Sequence, residues 1–214
     1  MLIVEDLALL LLDDETGTPA GAGTLHYTLG GAVLVELALL GAVETDGSKV
    51  HAVRGDDLAD PLLDAAYAKV AEKPRAVQSV LLAVGGDLWN PVVDRLIDRG
   101  LIRREKKRML GLFKMNTLPA DDTQRETEIR EQIRAVLVDG ASPDTRTAAL
   151  TALLSASGAL PSLRPALAWS GEVHRRAKEL ERGNWGAEAV STAVATTAAA
   201  IATSTTMTVI TAVT

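Results

Sequence analysis

The chain has no cysteine, and among its 214 residues there are one phenylalanine, two tyrosines and three tryptophans. Without cysteine there is no disulfide frame, no thiolate nucleophile and no metal site built on sulfur, and the natural compartment is the cell interior. The histidines, His26, His51 and His174, are scattered. No His-Glu-x-x-His and no Gly-x-Ser-x-Gly occurs, and the acidic doublets Asp56-Asp57 and Asp121-Asp122 stand in loop or cap contexts. The expectation is a protein that is not an enzyme, with no catalytic residue, no metal and no cofactor. Aromatics make up 3% of a chain that is 47% hydrophobic, so the core must be aliphatic, which suits close helix packing. Positive charge is also short, with 22 basic residues against 28 acidic ones and a net charge of −6.

The exception is "GLIRREKKRMLGLFKM", residues 100–115, where Arg103, Arg104, Lys106, Lys107, Arg108 and Lys114 face a single acid, Glu105. A positive field of this kind can orient an acidic molecule at an anionic surface. The same charges also suit a plain solvated turn.

Elsewhere the patterning is mostly helical. "VEDLALLLLDDETG" predicts a first core helix running to Gly17; its Glu5 and Asp6 stand where a signal peptide would carry positive charge. "TPAGAGTLHYTLGG" reads as a Gly-rich loop, without the Gly-Lys-Ser/Thr ending of a phosphate loop. A helix is expected from Ala32 to Leu40, ending at Gly41, and then a hairpin around Asp46-Gly47. Helix, glycine and strand recur downstream: Leu37, Gly41 and Ala42-Val43 match Leu96, Gly100 and Leu101-Ile102. A second hairpin is therefore expected over 101–114, with strands near 101–104 and 109–114 and a turn among Glu105, Lys106, Lys107 and Arg108. Strand alternation would put Leu110 and Leu112 on one face and Met109, Phe113 and Met115 on the other.

Between the hairpins "DPLLDAAYAKVAE" and "RAVQSVLLAV" predict helices, and Trp89-Asn90-Pro91 opens the second unit. The last third reads as wholly helical, with one helix ending at Gly140 and the next capped by Ser142 with Pro143 in its first turn. After Trp185 the chain is uncharged beyond Glu188. Its Ala and Thr content argues against a membrane span and for the apolar central helix of a bundle, buried from Trp185 to about Ala202. Trp89 and Trp185 are expected as core anchors. The patterning is mainly α, with two small β-hairpins and a frayed tail at about 204–214, and the length suits one large or two small domains.

Helix, glycine, strand, basic turn and strand is also how a winged-helix module looks. The helix ahead of the basic stretch, "VVDRLIDR", balances Asp94 and Asp98 against Arg95 and Arg99, which is poor equipment for a polyanionic groove, so no nucleic acid is expected.

The blocks "LIVEDLALLLLDDETG", "LGGAVLVELALLGAV", "LLDAAYAKV", "GGDLWNP", "RLIDRGLIRREKKRMLGLF" and "GNWGAEAV", in this order, resemble the Golgi phosphoprotein 3 (GPP34) family in its bacterial, actinomycete-type form. The resemblance implies a mainly α fold, a single helical domain over 1–214 with amphipathic helices packed around an apolar central helix plus two small β-hairpins, and a peripheral membrane association related to that of proteins that recognise phosphatidylinositol 4-phosphate. It also implies an apolar-basic hairpin used for membrane contact and oligomer formation. Eukaryotic members carry a head-group arginine where this chain has Gly30, a tryptophan where Gly21 falls, and two further arginines on a segment that is here mostly missing; Arg95 and Arg99 are the nearest basic residues.

The partners expected are anionic phospholipid or phosphoinositide head groups, met through Arg103, Arg104, Lys106, Lys107, Arg108, Leu110, Leu112 and Phe113, with Arg95 and Arg99 as further head-group contacts. A homo-oligomer could form through the 101–114 hairpin. The location expected is cytoplasmic, peripheral on the inner face of the membrane. The alternative is a soluble protein-interaction or adaptor domain that lacks the lipid site.

Overall fold

The computed structural model describes residues 1–13, 17–46, 48–53, 58–109, 113–163, 167–183 and 192–203; over 106–109 and 113–117 it describes the backbone. The architecture is mainly α. In chain order the elements are α1 (Ile3–Leu11), α2 (Leu25–Leu39), β1 (Val43–Thr45), β2 (Lys49–Ala52), α3 (Pro61–Ala71), β3 (Arg75–Ala76), α4 (Val77–Gly85) and α5 (Trp89–Asp98). There follow β4 (Glu105–Met109), β5 (Phe113–Thr117), α6 (Gln124–Leu137), α7 (Thr145–Ala156), a 3-10 turn (Leu160–Ser162), α8 (Gly171–Glu181) and a helix over 192–203.

The centre is built by α1, α2 and α7. All of α1 is buried, including Glu5 and Asp6, and α2 is buried without a break from Thr28 to Val35. The expected loop at 18–31 is therefore corrected: the helix begins at Leu25 and runs through Gly30-Gly31. Those glycines weaken a helix in isolation, but Gly30 lets another backbone come close and Gly31 makes room for the side chains of Ile201 and Thr197. A Cβ at Gly85 would lie 1.8 Å from the carbonyl oxygen of His26, and one at Gly30 would lie 2.3 Å from that of Leu81. The crossing of α2 with α4 exists only because both positions lack a side chain.

The central helix is thus α2, not the C-terminal one. The helix over 192–203 buries Ala193, Val194, Thr197, Ala198 and Ile201, while Thr192, Ala199 and Thr203 are exposed. It covers one side of α2 with a single face. The rest of the expected tail helix, with Trp185, and the expected frayed segment lie outside the described residues; Trp89 is half-buried against the core. Among the described residues no helix is long and apolar enough to cross a membrane.

Two local expectations need correction. Helix α1 stops at Leu11, short of the expected Gly17, and Leu12 is already extended and bridges Pro19. Helix α7 is capped by Asp144, which accepts from Thr147 N at 2.8 Å, so Ser142 and Pro143 precede the cap.

The recurrence of helix, glycine and strand is real. Gly41 N donates to Ala38 O and Ala42 N to Leu37 O; in the same pattern Gly100 N donates to Ile97 O and Leu101 N to Leu96 O. Both glycines have positive φ, +68° and +72°, so each helix ends in a left-handed cap that turns the chain into extended structure. After the first cap, β1 pairs with β2 as expected, and the short β3 joins β2 as a third antiparallel strand. The Asp46 carboxylate ties that turn, accepting from Lys49 N at 2.8 Å and Ser48 N at 2.9 Å and meeting His51 Nε2 at 2.9 Å. These bonds, the one from Lys49 N foremost, hold its carboxyl well below the usual carboxylate range.

Candidate functional site

After the second cap the chain builds a long two-stranded ribbon. Ile102 bridges Ala120, Arg103 N donates to Pro119 O at 3.1 Å, and Asp121 N donates to Leu101 O at 2.9 Å. The same register continues from Glu105↔Thr117 to Met109↔Phe113. The reversal therefore falls beyond Met109, and the expected boundaries are corrected: Glu105, Lys106, Lys107 and Arg108 belong to strand β4, not to a turn. The physical reason is the backbone register, which pairs these residues with Thr117, Asn116, Met115 and Lys114; charge, lysine above all, is common on edge strands and does not by itself mark a turn. The backbones of β4 and β5 pack chiefly on each other, so the ribbon is an arm rather than a layer of the core.

Lys106, Lys107 and Arg108 stand opposite Asn116, Met115 and Lys114 in the backbone register. Phe113 opens β5. Leu110 and Leu112, and with them the expected sorting of apolar residues onto two faces, lie outside the described residues.

At the base of the arm the arginines already have acidic partners. Arg103 donates through Nε to Glu105 Oε1 at 2.8 Å and through Nη1 to Asp121 Oδ1 at 2.7 Å. These bonds, the one to Glu105 foremost, raise its pKa further above the physiological range. Arg104 donates through Nη2 to Asp94 Oδ1 at 2.6 Å. All these side chains are about half exposed, apart from the somewhat less exposed Glu105. Such pairs contribute about 0–1 kcal/mol and exchange partners readily.

The two other expected contacts belong to a different environment. Arg95 donates through Nε to Glu5 Oε1 at 2.7 Å and grips Asp60 with both terminal nitrogens, at 3.1 and 2.7 Å. The bond to Asp60 leads in raising the Arg95 pKa; burial pushes the Asp60 carboxyl up, but Arg95 and the N-terminal amides of α3 outweigh it and lower the net value. Arg99 reaches the same Glu5 oxygen at 3.3 Å, and 43% of its side chain stays exposed.

A neighbouring cluster escaped sequence reasoning. Asp6, with no exposed surface, is held by Arg125 at 3.0 and 2.8 Å and by Arg146 at 3.0 and 2.8 Å; Arg146 also donates to Met1 O at 2.7 Å. Glu36 joins through Ile3 N and Arg146, and its burial raises its carboxyl pKa. The only signal available was a pair of acids inside an otherwise apolar helix.

The head-group arginine that the resemblance calls for has no room here. Its place is Gly30, inside the crossing with α4, where even a methyl group would meet Leu81 O. Among the described residues no cluster of three or more His, Asp or Glu side chains is arranged to hold a metal.

Comparison with known proteins agrees with this frame. A family model described as Golgi phosphoprotein 3 (GPP34) matches residues 3–197. A curated relative, vacuolar protein sorting-associated protein 74 of Eremothecium gossypii, is 28% identical over 162 residues, which is 64% of this chain and 49% of that protein. The chain thus spans about half the length of that relative. With the family model covering nearly the whole chain from α1 into the last described helix, the protein belongs to the Golgi phosphoprotein 3 (GPP34) family.

Proposed function

We propose that this domain associates peripherally with anionic phospholipid head groups, on the cytoplasmic face of a membrane, through the arm over 102–120. The observation that carries the reading is the arm itself: a ribbon that, among the described residues, forms a two-stranded sheet of β4 and β5, with Lys106, Lys107, Arg108 and Lys114 in its outer part, on a chain of net charge −6. Each cation near an anionic leaflet contributes about 1 kcal/mol, so four support reversible binding without a head-group pocket. Affinity for phosphatidylinositol 4-phosphate, the lipid associated with eukaryotic relatives, would follow from its charge, because the backbone at Gly30 excludes the family's arginine.

The test is sedimentation with phosphatidylcholine vesicles containing increasing phosphatidylglycerol. Binding should grow with anionic content and fall with salt, as screening requires. Replacing Lys106, Lys107, Arg108 and Lys114 by Ser should abolish it. A wild-type protein that ignores such vesicles at low salt would leave the soluble adaptor reading in place.

A further inference from the structure

We infer that Asp94, Glu105 and Asp121 act as counter-ion locks that silence Arg103 and Arg104 until the surface facing them is sufficiently anionic, and so set the charge density at which the domain binds. The inference rests on the membrane reading above and adds the residues that regulate it.

Three observations lead there. First, the two arginines lie where the arm leaves the body, and each is paired with carboxylate: Arg104 with Asp94 of α5, and Arg103 with Asp121 after β5 and Glu105 at the start of β4. Second, these pairs are solvent-accessible, so a phosphate oxygen can replace a carboxylate without a buried charge being exposed; the Arg95 pair with fully buried Glu5 offers no such exchange. Third, Asp98, one turn beyond Asp94 on α5 and also exposed, makes no ion pair among the described residues. Acid at this surface is not paired by default, so Asp94 is distinguished by its arginine.

A lock of this kind makes binding threshold-like. At low anionic content the arginines remain on their carboxylates and the outer lysines act alone. As phosphate density rises, the arginines change partners and add their charge, so binding climbs more steeply than the outer cations alone would make it.

The experiment compares Asp94→Asn, the double variant Glu105→Gln with Asp121→Asn, and Asp98→Asn on the full chain. Binding is measured by sedimentation with phosphatidylcholine vesicles of graded phosphatidylglycerol content at fixed low salt. Freeing one arginine should raise binding about fivefold at a given composition, which is one cation's contribution of about 1 kcal/mol near an anionic leaflet. It should also move half-binding to a lower phosphatidylglycerol fraction. Asp98→Asn changes the net charge by the same amount as Asp94→Asn but frees no arginine, so its gain should be clearly smaller than that of Asp94→Asn. Adding Arg104→Ala to Asp94→Asn should remove the gain. Equal gains from Asp94→Asn and Asp98→Asn, or a gain that survives Arg104→Ala, would overturn the inference while leaving the membrane reading intact. A wild type that binds no vesicle overturns the membrane reading and the lock with it.

Discussion

Arg125 and Arg146 hold Asp6 at 2.8–3.0 Å, and Arg103 and Arg104 hold Asp121 and Asp94 at 2.6–2.7 Å. The distances are alike and the surroundings are not. Asp6 has no exposed surface, whereas Asp121 and Asp94 are about half exposed. A carboxylate sealed inside a protein has lost its hydration and depends on its guanidinium partners. One at the surface keeps water as an alternative partner. The inner cluster therefore fixes the amino end of α1 against α6 and α7, while the outer one leaves the arm's base free to respond to its surroundings. Hydrogen-bond length alone does not tell a structural ion pair from an exchangeable one.

The largest expected effect breaks the inner half of this comparison. Replacing Arg125 and Arg146 together by Ala leaves Asp6 buried and uncompensated, which costs about 3–5 kcal/mol. For a domain of this size each kcal/mol lowers the melting temperature by about 2–4 °C, so thermal unfolding followed by circular dichroism should show a drop of about 6–20 °C. An unchanged melting temperature would mean that Asp6 does not depend on its arginines, and the contrast between the clusters would collapse.

A second break lies in the same interior but involves no charge. Gly85→Ala puts a methyl group 1.8 Å from His26 O. Because the obstacle is backbone, α2 and α4 must separate, and overpacking of this kind costs about 1–3 kcal/mol. The expected result in urea is a lower midpoint with an unchanged slope, together with an arm that still binds vesicles in folded protein. Loss of vesicle binding with folding intact would show that arm and core are coupled, contrary to the division drawn above.

How far the sequence foretold this division depends on the reach of each interaction. The glycine caps at Gly41 and Gly100 and the Asp46 turn were legible because their hydrogen bonds close within a few residues. The start of α2 was not: Gly30-Gly31 reads as a loop until α4 and the 192–203 helix are in place to use the missing side chains. Glu5 and Asp6 read as charges on a core helix, but nothing local announces arginines roughly 90 to 140 positions away. The arm is legible in the sequence, but the charges of Glu105, Lys106, Lys107 and Arg108 suggest a turn where the chain forms strand β4. The pairing of Ile102 with Ala120, a contact across the whole ribbon, moves the reversal beyond Met109. For the candidate contacts, residue type was readable and pairing was not: Arg95 looked as available as Arg103, yet it is clasped by Glu5 and Asp60.

The smallest expected effect sharpens the outer half. Replacing Arg103 and Arg104 together by Ala removes three charge-assisted hydrogen bonds, to Glu105, Asp121 and Asp94. This is as many arginines as in the inner double variant. Every carboxylate left behind is at least partly exposed to solvent and can be rehydrated, so no buried charge is stranded. The side chains also regain the freedom that pairing cost them. Exposed pairs typically contribute well under 1 kcal/mol, and surface changes away from special features stay within about 0.5 kcal/mol. The urea midpoint should therefore move by little more than the error of the measurement. Low salt should enlarge the difference slightly and high salt erase it, because these charges are open to screening. A loss approaching that of the inner double variant would mean that the base of the arm is held as rigidly as the amino end of α1. Its arginines could not then be released to an anionic surface, and burial would cease to be what separates the two clusters.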